Sequence, residues 1–213
     1  MYLTVTRPYI MYVVCLISRY MADPKEEHMQ IAKRVLRYLK GTLNFGLVYR
    51  KAKNLKLLAY TDSDYARDVD DRKSILGYVF LLNNAAVYWS SKKQEIVTLS
   101  SIEAKYVAVT GCVCHCVWMK GILEHIGVNN CERIDICCDN SSSIKLSKNP
   151  VMHKRTKHID VRYHYLHDLS SQEVVKLVYC RTQNQIADIM TKPIKLDQFL
   201  KLRKLLGVQS IDD

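Results

Sequence analysis

Residues 54–208 alternate short runs rich in β-branched and aromatic residues with stretches of helical periodicity. Alternating apolar patterns bounded by turn residues predict strands, and apolar residues that recur every three or four positions predict helices. The predicted order is three strands, a long helix from about Ser100 to His125, a strand, a short helix, a strand and two short helices. Strand–helix–strand passages favour parallel crossovers, and the first three strands favour an antiparallel meander. The order therefore predicts a mixed α/β fold.

The first 53 residues differ in composition from the rest of the chain. They contain ten Lys or Arg against three Asp or Glu. The apolar run YIMYVVCLISRYM is too short for a membrane span and predicts a buried helix. The segment DPKEEHMQIAKRVLRYLKG predicts a second helix, with Asp23 as its cap, Pro24 at its first position and Gly41 at its end. We therefore expect a small helical unit over residues 1–53, a main domain over 54–208 and a tail over 209–213.

The formal net charge of +11 favours a polyanionic partner, with nucleic acid ahead of an anionic membrane. Lys33, Arg34 and Arg37 lie together on the second predicted helix. They form either a solvated basic face or a surface that follows a phosphate backbone, and the sequence leaves both interpretations open.

Eight cysteines without a secretory signal peptide indicate reduced thiols and an intracellular protein, either cytoplasmic or nuclear. The run CVCHC lies inside the long predicted helix, where Cys112 and Cys116 share a face and Cys114 points elsewhere. Because the run lacks the CxxC spacing of a metal clip, core packing is favoured over metal binding.

Four acidic residues stand at element ends or on helices that this fold could bring together. Each also has a purely structural explanation, because acids begin turns and cap helices; Ser100 and Glu103, for example, form a capping box. Together, however, carboxylates are the ligands that Mg²⁺ prefers, and two ions about 3.5–4 Å apart can hydrolyse a phosphodiester. The four candidates are Asp62, Glu103, Asp139 and Asp188.

Several longer motifs carry a resemblance to a known family. The segments YTDSDYARDVDDRKSILGYVFLL, WSSKKQEIVTLSSIEAKYVAV, CDNSSSIKLSKNPVMHKRTKHIDVRYHYL and NQIADIMTKP resemble the ribonuclease H domain of copia-type LTR retrotransposon Pol polyproteins. Residues 2–49 resemble the end of the reverse transcriptase domain that precedes it. The order and spacing of these motifs cover nearly the whole chain.

The resemblance implies a ribonuclease H-like five-stranded mixed sheet flanked by helices. It also implies cleavage of the RNA strand of RNA–DNA hybrids during retrotransposon reverse transcription, with two Mg²⁺ ions that Mn²⁺ can replace. The implied metal ligands are Asp62, Glu103, Asp139 and Asp188, and Asp64 is the alternative to Asp62. Two other functions stay open: a catalytically idle nucleic-acid-binding remnant, and a nuclease of the same fold that acts on DNA.

One departure from the family pattern lies on the long predicted helix, close to Glu103. Lys105 stands where a second glutamate is common in the family. Because it lies two residues beyond Glu103 and on another helical face, it need not contact the metals. The chain also lacks the YxDD motif of a polymerase palm, so we expect the rest of the polyprotein as a partner and no DNA synthesis by this chain.

A basic segment rich in histidine follows the strand that ends at Asp139. Lys154, Arg155 and Lys157 in this segment are predicted to contact phosphates. Zinc binding by its histidines is the alternative, although no cysteine pair accompanies them at the usual spacing. Recognition through the backbone predicts little sequence preference and a steep dependence on salt.

Overall fold

The structure, a computed structural model, describes residues 2–52, 55–128, 133–147 and 157–211. The strands are β1 (Phe45–Leu47), β2 (Leu57–Ser63), β3 (Ile75–Leu82), β4 (Ala85–Lys93), β5 (Ile134–Cys138), β6 (Val175–Tyr179) and β7 (Val208–Ser210). The α-helices are α1 (Tyr2–Val5), α2 (Met11–Ser18), α3 (Glu26–Lys40), α4 (Ser101–His125), α5 (Ser141–Leu146), α6 (Lys157–Ser171), α7 (Asp188–Thr191) and α8 (Leu196–Leu205).

The main sheet has five strands in the order β4-β3-β2-β5-β6. The pairs β2–β3 and β3–β4 are antiparallel, whereas β2–β5 and β5–β6 are parallel. The predicted meander and parallel crossovers are both confirmed. Because β2, β5 and β6 run in the same direction, their carboxyl ends meet at one edge of the sheet.

One face of the sheet packs against α4 and α6. Alternate residues of a strand point to opposite faces, and Ala59 and Phe80 lie on this side with the buried residues of α4. By length and composition α4 could cross a membrane, but more than half of it is buried in this core. Cys112 and Cys116 are buried there and Cys114 is exposed, as the helical spacing predicts.

The other face packs against the N-terminal residues, α7 and α8. Tyr9, Ile10 and Val35 share a buried cluster with Val79 of β3 and with residues of the two C-terminal helices. The short strands β1 and β7 pair in antiparallel fashion, which ties the N-terminal part to the C-terminal end of the chain. The first residues therefore share a core with the main sheet.

Two predicted boundaries differ from the structure. Helix α3 begins at Glu26, so Asp23 and Pro24 are not its cap and first position; instead the Lys25 amide donates to His28 Nδ1 at 3.0 Å. The predicted order has no helix in the basic, histidine-rich segment, but this segment contains the start of α6, at Lys157. Its polar residues conceal the apolar period on which the prediction of a helix depends.

Gly77 allows α7 to lie directly on the sheet. It pairs with Asp62 across β2 and β3, and a Cβ atom at Gly77 would lie 2.6 Å from Met190 Cβ and 2.7 Å from Thr191 Cγ2. Neither distance is compatible with a real side chain in this position. The absence of a side chain here therefore sets the distance between α7 and β3.

We expect Gly77→Ala to lower the free energy of unfolding by about 2–3 kcal/mol, because the added methyl group pushes α7 away from β3. Gly121→Ala is the matched control: it adds the same methyl group inside α4, where nothing lies within 4 Å. The control should be neutral or stabilising by up to about 1 kcal/mol. Urea unfolding followed by circular dichroism measures both, and equal effects of the two changes would contradict the close packing of α7.

Candidate functional site

Three aspartates converge at the sheet edge where the parallel strands end. Asp62 is the penultimate residue of β2, Asp139 directly follows β5, and Asp188 is the first residue of α7. One carboxylate oxygen of each lies within 4.8 Å of the others, and Asp62 and Asp188 are buried. The structure therefore brings together three of the four predicted acids, and their catalytic role stays a prediction.

Glu103 does not join this cluster, which corrects the expectation that it would. Its backbone N–H donates to Ser100 Oγ at 3.1 Å, and its Oε2 accepts a hydrogen bond from the Leu99 N–H at 2.7 Å. The first is the N-cap hydrogen bond of Ser100, and the second links the carboxylate to the residue before the cap, so the Glu103 side chain is directed back towards the start of α4. The structural explanation of Glu103 accounts for its position.

Lys105 reaches the cluster instead, a contact that its position two residues beyond Glu103 did not predict. Its Nζ lies 3.1 Å from Asp62 Oδ1 and also forms an ion pair with Asp139 Oδ1. The first turn of α4 is held over the strand ends by the buried Gln94, whose Nε2 donates to the Ala104 carbonyl at 2.9 Å. This contact directs the next side chain, Lys105, at the aspartates.

A second ammonium group lies on the opposite side of Asp62. Lys192 Nζ is 2.9 Å from Asp188 Oδ1 and 3.5 Å from Asp62 Oδ2. Thr191 Oγ1 donates to the same Asp62 oxygen at 2.7 Å. Lys105 therefore bridges Asp62 and Asp139, and Lys192 bridges Asp62 and Asp188.

These contacts set the charge states within the cluster. Burial alone would raise the pKa of Asp62, but the ammonium groups of Lys105 and Lys192 outweigh it and hold this pKa below its ordinary value. Burial and the neighbouring Asp62 carboxylate raise the pKa of Asp188 to about 7. Burial would lower the pKa of Lys105, yet the two carboxylates beside it raise that pKa above its usual value. Lys105 is therefore charged throughout the physiological range.

The residues present do not fit the pair of Mg²⁺ ions that the resemblance implies. Carboxylate oxygens are suitable ligands for such ions, and the three aspartates are close enough to share one. However, three carboxylates bridged by two ammonium groups carry at most one uncompensated negative charge. Two magnesium ions would add four positive charges next to Lys105 and Lys192. Like charges at this distance repel strongly in a buried site.

Gln185 positions Asp188 and was not identified from the sequence. Its side chain is completely buried at the ends of β2 and β5. Its Nε2 donates to the Thr61 carbonyl at 3.0 Å, and its Oε1 accepts from the Ala187 N–H at 3.2 Å. The amide therefore fastens the segment before α7 to the sheet. A glutamine among apolar neighbours in NQIAD is the only sequence signal for this role.

The acidic loop after β2 is held together by hydrogen bonds and ion pairs. Asp64 lies outside the cluster; its Oδ1 accepts from the Ile75 N–H, and its buried Oδ2 has no hydrogen-bond partner among the described residues. Burial raises the pKa of Asp64 to about 6. Asp68 forms ion pairs with Lys93 at 2.7 Å and with Arg19 at 3.3 Å. Most of the negative charge that follows β2 is thus structural.

The predicted phosphate-binding residues fall into two groups. Lys33, Arg34 and Arg37 are exposed on α3. Lys154 and Arg155 lie outside the described residues, and Lys157 is the first residue of α6. Within the described ranges, the three aspartates are the only group of His, Cys, Asp or Glu side chains close enough to share a metal ion.

Known proteins resemble the chain over nearly its whole length. It is 39% identical over 205 residues to the Retrovirus-related Pol polyprotein from transposon TNT 1-94 of Nicotiana tabacum, covering 96% of this chain and 15% of that protein. It is 39% identical over 210 residues to the Retrovirus-related Pol polyprotein from transposon RE1 of Arabidopsis thaliana, covering 99% of this chain and 14% of that protein. The chain thus spans a small part of the curated relatives it matches. No protein-family model matches it.

Among solved structures, the chain is similar to LC11-RNase H1, isolated from compost by a metagenomic approach. The TM-score is 0.48 at 14% sequence identity, and the match covers 64% of this chain and 92% of that one.

Asp64 and Asp68 of the acidic loop should respond to pH in opposite ways. Because the pKa of Asp64 is raised from 3.8 to about 6 on folding, its carboxyl group costs stability as the pH rises through this window. Asp64→Asn keeps an oxygen for the Ile75 N–H and should raise the free energy of unfolding by about 1–2 kcal/mol above about pH 7. The gain should shrink to nearly zero at about pH 4.

Asp68→Asn is the matched comparison in the same loop. Although burial opposes it, Lys93 and two backbone N–H groups hold the pKa of Asp68 below its ordinary value. Its carboxylate therefore stabilises the fold above the unfolded-state pKa, and this variant should be less stable at neutral pH. Thermal unfolding at a series of pH values measures the stability of both variants. If Asp64→Asn lowered the stability at neutral pH, the conclusion that the buried Asp64 carboxylate costs stability when ionised would be wrong.

Proposed function

Because the chain belongs to the ribonuclease H domains of retrotransposon Pol polyproteins, we propose that it binds RNA–DNA hybrids at the sheet edge where its three aspartates meet. Its mixed five-stranded sheet flanked by helices is the ribonuclease H fold. Open α/β sheets bind ligands outside the carboxyl ends of their parallel strands, and that is the edge where β2, β5 and β6 end.

Exposed basic residues around this edge are the observation that carries the proposal. Arg67 follows β2, Lys145 lies on the helix after Asp139, and Arg181 follows β6, and all three are exposed. Arginine and lysine at such positions suit the phosphates of a nucleic acid without reading its bases. The net charge of +11 supports the same class of partner.

Cleavage of the RNA strand with Mg²⁺ is the second candidate function, and the convergence of three carboxylates within 4.8 Å favours it. Two-metal hydrolysis requires ions that activate water and stabilise the leaving oxygen. Lys105 and Lys192 already neutralise these carboxylates and supply no such chemistry. We therefore propose hybrid binding with little or no cleavage.

The polyprotein supplies the context for this function. The chain covers only 15% of the tobacco relative, so the polymerase palm and the remaining activities belong to other parts of such a protein. In this proposal the rest of a Pol polyprotein is the partner, and reverse transcription in the cytoplasm or nucleus is the process served.

We expect the chain to bind a labelled RNA–DNA hybrid more tightly than duplex DNA of the same length, with affinity that falls steeply as salt rises. The double variant K145A/R181A should weaken hybrid binding about tenfold or more and reduce the slope of log affinity against log salt by about 2, because two phosphate contacts are lost. Fluorescence anisotropy at several salt concentrations measures both quantities.

The double variant K33A/R34A removes the same charge from α3 and serves as the comparison. A greater loss of affinity in this variant would place the contact on α3 and contradict binding at the sheet edge. Incubation of the hybrid with millimolar Mg²⁺ or Mn²⁺ tests the second candidate in the same samples. Rapid cleavage by the natural chain that disappears in Asp62→Asn would establish the nuclease instead of the non-cleaving binder.

A further inference from the structure

We infer that Lys105 is a resident cation: its ammonium group takes the place of a divalent ion between Asp62 and Asp139 and excludes metal from the site. This inference concerns the chain without nucleic acid, and it does not depend on hybrid binding. The aspartates are suitable metal ligands, but the ammonium group of Lys105 already neutralises their charge.

The position of the ammonium group is the first support. Lys105 Nζ contacts one oxygen of Asp62 and one of Asp139, so it bridges two carboxylates that come from different strands. The Lys105 side chain is only 16% exposed, and the Asp62 side chain is completely buried. A group that bridges two ligands in a buried site must leave before an ion can contact both of them.

Competition between Lys105 and a free ion favours the lysine. Its ammonium group is tethered to α4, which the Gln94 side chain holds at the sheet edge. A tethered group has an effective concentration in the millimolar range or above, so it competes well with dissolved Mg²⁺. Magnesium also gives up its water molecules reluctantly, whereas the ammonium group is already in place.

The identity of this residue decides the charge of the site. Lys105 places a positive charge between Asp62 and Asp139, where a glutamate would place a negative one. The nearby Glu103 carboxylate is engaged at the helix cap and does not offset this positive charge. Compared with a glutamate at this position, Lys105 therefore changes the charge next to Asp62 by two units and supplies a competing cation in place of a ligand.

The experiment is a titration of the full chain with Mn²⁺ alone, without nucleic acid, followed by calorimetry and by the electron paramagnetic resonance of free Mn²⁺. The natural chain should show no Mn²⁺ site at the aspartates. Lys105→Glu should bind Mn²⁺ at least about 100-fold more tightly, because a bridging cation becomes a fourth carboxylate. Adding Asp62→Asn to this variant should abolish the gain.

Lys145→Glu is the matched control. It changes the net charge by the same two units at the same sheet edge, but Lys145 is exposed and lies on α5. This variant should bind Mn²⁺ no more tightly than the natural chain. If it gained as much affinity as Lys105→Glu, the effect would be one of general charge, and the assignment of Lys105 would be wrong.

Lys105→Met keeps the test decisive if the glutamate variant does not fold. It removes the bridging cation without adding a ligand, so its unfolding temperature should rise with millimolar Mn²⁺ while that of the natural chain stays constant. Two results would overturn the inference. One is tight Mn²⁺ binding by the natural chain that is lost in Asp62→Asn. The other is an unfolding temperature of Lys105→Met that does not change when Mn²⁺ is added. Neither readout requires hybrid binding or cleavage, so a failure of the proposed function would be seen separately.

Discussion

Asp62 is almost completely buried, and the carboxylates of Asp139 and Asp188 approach it from two other elements. Three carboxylates so close together repel one another, and burial strengthens the repulsion because the surrounding medium screens it poorly. The fold can keep them there only if positive charge lies between them. Lys105 and Lys192 provide that charge from α4 and from the end of α7. The strand ends, α4 and α7 are therefore held in one arrangement by electrostatics as well as by packing.

The same arrangement depends on how closely α7 approaches the sheet. Gly77 leaves room for Met190 and Thr191, and the buried Gln185 amide fastens the preceding segment to the Thr61 carbonyl. Both ends of the Gln185 amide are hydrogen-bonded, which avoids the cost of about 1–3 kcal/mol for an unpaired buried polar group. A change in any of these packing or hydrogen-bonding residues would move a charged group by a fraction of an ångström. Ion pairs between buried groups are sensitive to such displacements.

The elements with strong periodicity could be predicted from the sequence, and those without it could not. The long helix and the five strands of the main sheet lie where the apolar patterns indicate, because strands of five to nine residues carry a readable alternation. The three-residue strands β1 and β7 are too short to carry one, and their pairing joins residues as far apart in sequence as Phe45 and Ser210. The polar composition of α6 similarly conceals its helical period.

The site shows the same division between local and tertiary information. Asp62 and Asp139 end neighbouring strands, so their convergence follows from the strand order, whereas the choice between Glu103 and Lys105 does not. Glu103 lies in the first turn of α4 and Lys105 begins the second, so sequence position alone does not decide which of them faces the aspartates. The decision depends on the rotation of α4 over the sheet, which Gln94 fixes through a bond to Ala104. A bond between two elements of this kind leaves no periodic signal in the sequence.

A metal ion bound to these aspartates would neutralise their charge and activate a water molecule, and a lysine can replace it only in the first role. Its ammonium group supplies positive charge and hydrogen bonds to Asp62 and Asp139, which is what the buried carboxylates need for stability. It carries one charge instead of two and has no coordination site, so it cannot bind a water molecule and lower its pKa as a metal ion does. A site neutralised by ions would be stable only while those ions are bound. A site neutralised by Lys105 is stable without them, so the fold and the basic edge of the sheet do not depend on bound ions.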